Sequence, residues 1–310
     1  MKLFSTTASQ KLSEEVAKTL GTTLAQSEII RFDNSEVRVR INEDVSRETC
    51  IVLGSSSNPT DTHLMELFFF ADALARGEAE KVIAFMPYFG YARQNIQHRT
   101  GENVSVNVVI RILETVGFDE VTTFELHDEA IAGVFTTPFT HLSAFSLLSE
   151  ECKKYLVEKE VDENSIMIAS PDQGGVERAR SFGKDFFGKD DFEIIVIEKN
   201  RDQDHKHVST AVDLYGDVSG KTVILVDDVT TSGGTLINAA NLCKERGATG
   251  IIAAVTHHDF GPGTGQRIQD SIIEAFFTTD TIVLKDGQSF DKLHEVSVAP
   301  LIAKYIQSHF

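Results

Sequence analysis

The stretch VILVDDVTTSGGT, residues 223–235, joins a short apolar run to two aspartates, three hydroxyl residues and a glycine pair. Four consecutive apolar residues, Val223–Val226, predict a buried strand, and Leu236–Arg246 has the apolar spacing of a following helix. In parallel α/β sheets, ligands bind at the carboxyl ends of the strands. The loop between this strand and this helix is therefore the first candidate for a binding site.

The loop itself has the chemistry of a phosphate cradle. Its two glycines allow backbone N–H groups to turn toward a ligand, and its hydroxyl groups add further donors. The amino terminus of the helix adds a partial positive charge, so a phosphate can bind without a lysine. The predicted phosphate-binding residues are Thr231, Ser232, Gly233, Gly234 and Thr235.

The paired aspartates, Asp227 and Asp228, need a different partner because their negative charge would repel a phosphate. Sugar hydroxyls and magnesium are the natural partners of such carboxylates. A phosphorylated ribose would satisfy both halves of the motif. The simpler alternative is a tight turn in which an aspartate caps the helix.

The bulk composition restricts the class of protein. With 310 residues the chain is long enough for two domains, and its 29 basic against 47 acidic residues give a formal net charge of −18. This balance argues against nonspecific nucleic-acid binding and against an anionic membrane surface. Three widely spaced cysteines indicate reduced thiols in a cytoplasmic protein, and no signal peptide or membrane-spanning run is predicted.

Apolar runs alternate with helical patterns along the chain, which predicts parallel βαβ units. Helices are expected over Thr60–Arg76, Val104–Val116 and Thr235–Arg246, each followed by a glycine, and Glu36–Ile41 is expected in a hairpin. We predict two α/β domains, residues 1–147 and 148–298, with a terminal helix over 299–310 packing on the first. Buried strands are predicted at Cys50–Leu53, Val82–Met86, Val121–Phe124, Ile166–Ala169, Ile194–Ile197, Val223–Val226 and Ile251–Val255.

Three further motifs also follow predicted strands. SPDQGGVERAR, residues 170–180, places Asp172 where it could bind magnesium or cap a helix. ELHDEA, residues 125–130, brings His127 to a strand end, where its role could be functional or structural. PYFGYARQ, residues 87–94, suits adenine or phosphate recognition, or an aromatic loop that packs on its own domain.

A fourth motif, IEKNRD at residues 197–202, puts Lys199 and Arg201 directly after a strand. The polar run 202–207 is expected to be mobile. Two cations on such a loop could close over a polyphosphate and neutralise developing charge. The alternative is a solvated, charged loop.

Together these motifs resemble the ribose-phosphate diphosphokinase family, also called phosphoribosyl pyrophosphate synthetases. The resemblance extends over nearly the whole chain, in the family's order. It implies two related domains of the type I phosphoribosyltransferase kind, each with a mainly parallel sheet flanked by helices, assembled as dimers or hexamers. The motifs that carry it are FDNSE, NPTDTHLMEL, PYFGYARQ, ELH, SPDQGGVERAR, EKNR and VDDVTTSGGT.

The resemblance also implies a reaction, in which the 1-hydroxyl of ribose 5-phosphate attacks the β-phosphorus of Mg-ATP and AMP leaves. Asp227 and Asp228 would face the ribose hydroxyls, and loop 231–235 would bind the 5-phosphate. Lys199 and Arg201 would stabilise the transition state. The remaining implied roles are ATP binding by Phe32, Asn34, Glu36, Arg93 and Gln94, and Mg²⁺ binding by His127 and Asp172.

This sequence departs from the family's usual pattern at several positions. Asn34 and Ser35 replace an aspartate and a glycine, Asn95 replaces an aspartate, and Thr231 stands where many members have an aspartate. Glu125 likewise replaces an aspartate. The change at Thr231 would reduce repulsion of a longer 5-phosphoryl group, so ADP-ribose is an alternative acceptor. The sequence is also compatible with a non-catalytic regulatory homologue or a plain phosphoribosyltransferase.

Overall fold

A computed structural model describes the backbone of residues 1–201 and 209–310 and the side chains of 1–198 and 213–310. The chain divides into two compact units. Unit 1 comprises Met1–Ser143, Thr281–Val283 and Ser297–Phe310, and unit 2 comprises Ala144–Asp280 and Leu284–Val296.

The strands are numbered in chain order. They are β1 (Lys2–Ser5), β2 (Ser27–Arg31), β3 (Val37–Ile41), β4 (Thr49–Leu53), β5 (Lys81–Met86), β6 (Glu120–Phe124), β7 (Phe139–Leu142), β8 (Ile166–Ser170), β9 (Ile194–Arg201), β10 (Ser209–Tyr215), β11 (Thr222–Thr230), β12 (Gly250–His258), β13 (Ala275–Thr279) and β14 (Leu293–Val296).

The α-helices follow the same numbering. They are α1 (Gln10–Thr19), α2 (Thr60–Arg76), α3 (Ser105–Val116), α4 (Phe145–Glu158), α5 (Val176–Phe187), α6 (Gly234–Glu245), α7 (Thr264–Gln269) and α8 (Ala299–His309).

Unit 1 is built on a parallel five-stranded sheet in the order β1-β4-β5-β6-β7, with β2 and β3 as a separate antiparallel hairpin. After their first residue, the inner strands β4, β5 and β6 carry only apolar residues or threonine, as is typical of parallel sheets covered on both faces. Helix α3 ends at Gly117, whose φ of 106° only glycine adopts without strain. Helix α8 packs in this unit, where the Tyr305 hydroxyl bonds the Glu120 carboxylate at 3.1 Å.

Unit 2 contains a seven-stranded sheet in the order β10-β9-β8-β11-β12-β13-β14. Its pairs are parallel except β9 with β10, which run antiparallel at one edge. Helices α4 and α5 share one apolar cluster with strands β8 and β11, around Phe182 and Phe186. Helix α6 packs in a second cluster that includes Leu236 and Cys243. The central strand β11 is thus buried from both sides.

Most predicted elements exist, with shifted ends. Helix α2 has the predicted bounds, while α6 begins at Gly234 rather than Thr235. The largest differences are at β9 and β11, which extend four residues beyond Ile197 and Val226. The extension of β11 follows its pairing with β12, which continues to Thr230. Elements that the sequence analysis did not predict are β1, β7, β10, β13, β14, α1 and α7.

Candidate functional site at the carboxyl edge of the unit 2 sheet

Asp227 and Asp228 lie within strand β11, not in the loop that follows it. Asp227 pairs in register with Val255, and the ladder continues to Thr230 opposite His258. The prediction that the strand ends at Val226 was therefore wrong, because backbone pairing with β12 extends the strand. Both aspartates are buried, and the Asp228 N–H donates to Oδ1 of Asp227 at 3.0 Å.

Arg178, on helix α5, lies against both carboxylates. Its Nη2 is 3.3 Å from Oδ1 of Asp227 and 3.1 Å from Oδ1 of Asp228. Burial by itself would lower the pKa of Arg178, but the charges of Asp228 and Asp227 outweigh it and the pKa is raised. Burial, followed by the neighbouring Asp228 charge, raises the pKa of Asp227 well above its ordinary value. The Arg178 charge acts in the opposite direction and favours the ionised carboxylate of Asp227, but the net shift of its pKa is upward.

The loop from Thr231 to Thr235 connects β11 to α6. Gly233 has a φ of 75°, a left-handed conformation in which a side chain would be strained, and α6 begins at the next residue. The backbone carbonyl of Thr231 accepts hydrogen bonds from the Gly261 N–H at 2.9 Å and the Thr264 hydroxyl at 2.7 Å. The structure thus brings the predicted phosphate loop and the two aspartates together.

Asp172 caps the short 3₁₀ turn that leads into α5. Its Oδ1 accepts a hydrogen bond from the Gly175 N–H at 3.1 Å, and its backbone carbonyl accepts one from the Ser170 hydroxyl. This is the helix-cap arrangement that the sequence left open as an alternative. Its charge nevertheless contributes to the raised pKa of Arg178, so three carboxylates surround one guanidinium.

Lys199 and Arg201 are part of strand β9, where they pair in register with Ala211 and Ser209. The prediction that they lie on a loop after the strand was wrong, because the strand continues to Arg201. Their side chains lie outside the described residues, as does the run 202–207 that was expected to be mobile.

In unit 1, the segment after β6 carries His127. The preceding N–H of Leu126 donates to Nε2 of His141 at 3.0 Å. Burial lowers the pKa of His141, which favours the neutral ring that this hydrogen bond requires. The side chain of Asn95 donates to Asp128 at 2.6 Å, so the segment is also joined to the loop after β5. His127 itself is partly buried, and it lies in a different unit from Asp172.

The loop PYFGYARQ after β5 divides into a buried and an exposed part. Tyr88 and Phe89 are buried, and Phe89 packs edge-on against Phe135. The packing role that the sequence gave as an alternative is therefore present for these aromatics. Arg93 and Gln94 are exposed, and Gln94 accepts a hydrogen bond from the Ser105 hydroxyl at the start of α3.

The turn of the β2–β3 hairpin carries the remaining three predicted ATP-binding residues. Phe32 is 44 % exposed, with the Arg38 guanidinium 5.8 Å from its ring centroid. Asn34 Oδ1 accepts from the Glu36 N–H at 3.2 Å, which stabilises the turn. Phe32 and Glu36 also share a backbone hydrogen bond. The exposed ring and carboxylate remain at the surface of unit 1.

The role of Arg178 in this site was not predicted from the sequence. The residue precedes Asp227 by 49 positions, and sequence periodicity cannot indicate a contact between residues so far apart in the chain.

Among the side chains that the structure describes, no group of three or more His, Cys, Asp or Glu residues converges as a metal site. No helix in the described ranges is long and apolar enough to cross a membrane.

The fold and the site define a two-unit α/β protein of the phosphoribosyltransferase type. Residues 1–117 match the family model described as the N-terminal domain of ribose phosphate pyrophosphokinase, and residues 144–282 match the phosphoribosyl transferase domain. The first match accounts for the part of the chain that a plain phosphoribosyltransferase would leave unexplained.

Relatives extend the match over the full length. Ribose-phosphate pyrophosphokinase 1 of Streptococcus mutans is 35% identical over 306 residues, covering 99% of this chain and 92% of the relative. Ribose-phosphate pyrophosphokinase of Bacillus cereus is 36% identical, with 99% and 93% covered. The crystal structure of phosphoribosylpyrophosphate synthetase from Mycobacterium smegmatis superposes with a TM-score of 0.89, at 32% identity, covering 99% of this chain and 97% of that one. The chain belongs to the ribose-phosphate pyrophosphokinase family.

Proposed function

We propose that the protein transfers the β,γ-diphosphoryl group of ATP to the 1-hydroxyl of ribose 5-phosphate, giving phosphoribosyl pyrophosphate and AMP. The observation that carries this proposal is the pair of buried aspartates in β11 directly before a glycine- and hydroxyl-rich loop that begins a helix. The names of relatives that match over the whole chain support it. They give no support to ADP-ribose as the acceptor.

Ribose 5-phosphate would bind at the carboxyl end of β11. Asp227 and Asp228 would accept hydrogen bonds from the ribose hydroxyls, and the Arg178 guanidinium beside them would favour their charged form. The 5-phosphate would bind to the backbone N–H groups and hydroxyls of Thr231, Ser232, Gly233, Gly234 and Thr235. A carboxylate pair beside a phosphate cradle distinguishes the two ends of a sugar phosphate.

ATP would be bound by residues of unit 1. The exposed ring of Phe32 can stack on a base, and Arg93 can pair with phosphate oxygens. Asn34, Glu36 and Gln94 would add hydrogen bonds, although the side chains of Asn34 and Gln94 already support their own loops. By the family resemblance, part of this site would be shared between subunits.

Lys199 and Arg201 would neutralise the charge that develops as the diphosphoryl group transfers. Phosphoryl-type transfer depends on positioning and electrostatic stabilisation, and it needs no covalent intermediate on the protein. The three described cysteines are buried, which agrees with a mechanism that uses no thiol nucleophile.

The described residues fit a magnesium ion that arrives with the ATP phosphates. Magnesium prefers oxygen ligands and is usually bound by one or two carboxylates together with substrate phosphates. Asp172 fits that chemistry better than His127, which offers nitrogen. When bound, the ion would reduce the negative charge on the transferring phosphates.

One assay tests the proposal. Protein, Mg-ATP and ribose 5-phosphate are incubated, AMP is measured by chromatography, and the product is identified by phosphorus NMR. We expect AMP only when the sugar phosphate is present, and at least about a hundredfold less with Lys199→Ala, as for removal of a transition-state charge. ADP-ribose serves as the comparison acceptor. Failure to release AMP with ribose 5-phosphate would contradict the proposal.

We also propose a homo-oligomer, a dimer or hexamer, in the cytoplasm. The outer face of α3 exposes Val108 and Ile112, which supports a contact between copies. Burial raises the pKa of Cys50 to about 11 and of Cys243 to about 12, so both thiols stay protonated and unreactive, as suits a reducing compartment. Light scattering of the purified protein tests the assembly.

A further inference from the structure

Arg267, on helix α7, binds the backbone of the phosphate loop from the side. Its Nε and Nη2 both donate to the carbonyl oxygen of Ser232, at 3.1 and 3.0 Å. Nη2 also donates to the Thr264 hydroxyl at 2.9 Å, and Nη1 to the Pro262 carbonyl at 3.3 Å. A planar guanidinium can make such a two-pronged contact, whereas an ammonium cannot reproduce it.

The neighbouring carbonyl, that of Thr231, is bound by the same segment. It accepts from the Gly261 N–H at 2.9 Å and from the Thr264 hydroxyl at 2.7 Å. Thr264 therefore links the Arg267 guanidinium to the Thr231 carbonyl. Two successive carbonyls of the phosphate loop are thus bound by α7 and the residues just before it.

Binding these carbonyls fixes the direction of the N–H groups that follow them. In a trans peptide, the C=O and the next N–H point in opposite directions, and the described chain has its one cis bond elsewhere, at Asn58–Pro59. The N–H groups of Ser232 and Gly233 therefore point away from α7. Those are the donors that a phosphate at the start of α6 would use.

We propose that Arg267 is a positioning residue for phosphate binding, which presents the loop's N–H groups by tethering the carbonyls on its other side. It does not bind the sugar phosphate itself, because its donors are directed at protein acceptors. This inference rests on the proposed function, since it names the residue that organises the sugar-phosphate end of that same site. The loop is thereby organised before the ligand arrives, which reduces the entropy lost on binding.

The test compares three variants at two positions. R267M removes the guanidinium, R267K keeps the charge but loses the paired contact, and T264V removes one hydroxyl without changing charge. R246M is the matched control, since Arg246 makes an exposed ion pair with Asp213 in the same unit. KM and kcat are measured separately for ribose 5-phosphate and for ATP, and each variant's melting temperature is recorded.

We expect R267M to raise KM for ribose 5-phosphate by about tenfold or more, with R267K and T264V giving a smaller rise in the same direction. KM for ATP should stay within about twofold, and R246M should match the wild type. An unchanged KM for ribose 5-phosphate in R267M and T264V would overturn the inference. So would a rise in R267M that both R267K and T264V lack, because charge alone would then explain it. A wild-type protein that releases no AMP would refute the proposed function instead.

Discussion

The two units share a strand order, but the loop that follows the second strand of this order differs between them. The order β1-β4-β5-β6-β7 in unit 1 matches β8-β11-β12-β13-β14 within the larger sheet of unit 2. Strand β4 of unit 1 thus corresponds to β11 of unit 2, and each is followed by a helix. One loop, 54–59, reads GSSSNP, and the other contains the phosphate-binding motif.

The two loops differ in the hydrogen-bond partners and the exposure of their serine hydroxyl groups. Ser55 and Ser56 are fully buried, and both are bonded within unit 1. Ser55 donates to the Thr281 carbonyl, while Ser56 donates to the Tyr88 carbonyl and accepts from the Gly90 N–H at 2.7 Å. In unit 2, Ser232 is exposed instead. The same strand–loop–helix arrangement therefore serves packing in unit 1 and presents donors to solvent in unit 2.

The largest expected effect concerns Arg178 and the two aspartates of β11, because the corresponding strand β4 of unit 1 has no charged residue. Arg178→Met should destabilise the protein by about 3–5 kcal/mol, because it leaves two buried carboxylates uncompensated. The cost should shrink as the pH is lowered, since the carboxylates can then take protons. Urea unfolding at several pH values measures it.

Arg180→Met is the matched control for this prediction. It makes the same change on the same helix at an exposed position, and we expect a cost within about 0.5 kcal/mol. Equal losses of stability in the two variants would show that the ion pairs of Arg178 do not stabilise the buried aspartates.

A pair of serine variants should separate packing from binding. Ser56→Ala in unit 1 leaves the buried Gly90 N–H without its acceptor and should cost about 1–3 kcal/mol, with both KM values unchanged. Ser232→Ala in unit 2 should cost less than about 0.5 kcal/mol but raise KM for ribose 5-phosphate. Urea unfolding and steady-state kinetics on both variants measure this crossover. Equal kinetic effects in the two would remove the proposed distinction between the loops.

Glycine substitutions in the phosphate loop should have smaller effects on stability and on KM for ribose 5-phosphate. Gly233→Ala would force a side chain into a φ of 75° with its Cβ 3.2 Å from Ile268, and should cost about 1 kcal/mol and raise KM for ribose 5-phosphate. Gly234→Ala meets no atom closer than Ser232 Oγ at 3.5 Å, so its stability should be nearly unchanged. Thermal unfolding and the same kinetic assay test the pair.

Gly54→Ala is the unit 1 counterpart of these variants. Its Cβ would lie 2.6 Å from the Thr6 side chain, so the protein should be destabilised. Because loop 54–59 has a packing role, KM for ribose 5-phosphate should not change. A selective rise in that KM would show that the unit 1 loop also contributes to sugar-phosphate binding.

The smallest expected effect is the pH dependence that His141 contributes in unit 1. Burial lowers its pKa below the ordinary value of 6.5, so the unfolded chain binds the proton first as the pH falls. The stability contribution is therefore complete above pH 6.5 and decreases as the pH falls toward the folded-state pKa. His141→Gln keeps an acceptor for the Leu126 N–H without titrating, so it should flatten that part of the curve.

Unfolding free energies of wild type and His141→Gln between pH 5 and 8 measure this contribution, at about the range where histidine titrates. His98→Gln, at an exposed position, is the comparison substitution. A slope that is the same in all three proteins would contradict the prediction.

The sequence by itself determined the local chemistry of this protein. Apolar runs before DDVTTSGGT and a helical pattern after it were enough to predict a strand, a phosphate loop and a helix, because each depends on neighbours within a few residues. The family followed from motifs in a fixed order, and the comparisons confirmed it. Roles of single side chains in binding remain predictions.

Only the tertiary structure decided how distant residues combine. Pairing with β12 placed Asp227 and Asp228 inside a strand, and the fold brought Arg178 to them from 49 residues away. Short strands such as β7 and β14 were missed because four residues carry too little alternation to detect. Hydrophobic periodicity indicates which face of a single helix or strand is buried. Strand pairing and contacts between distant charged residues depend on segments that come together only when the chain folds.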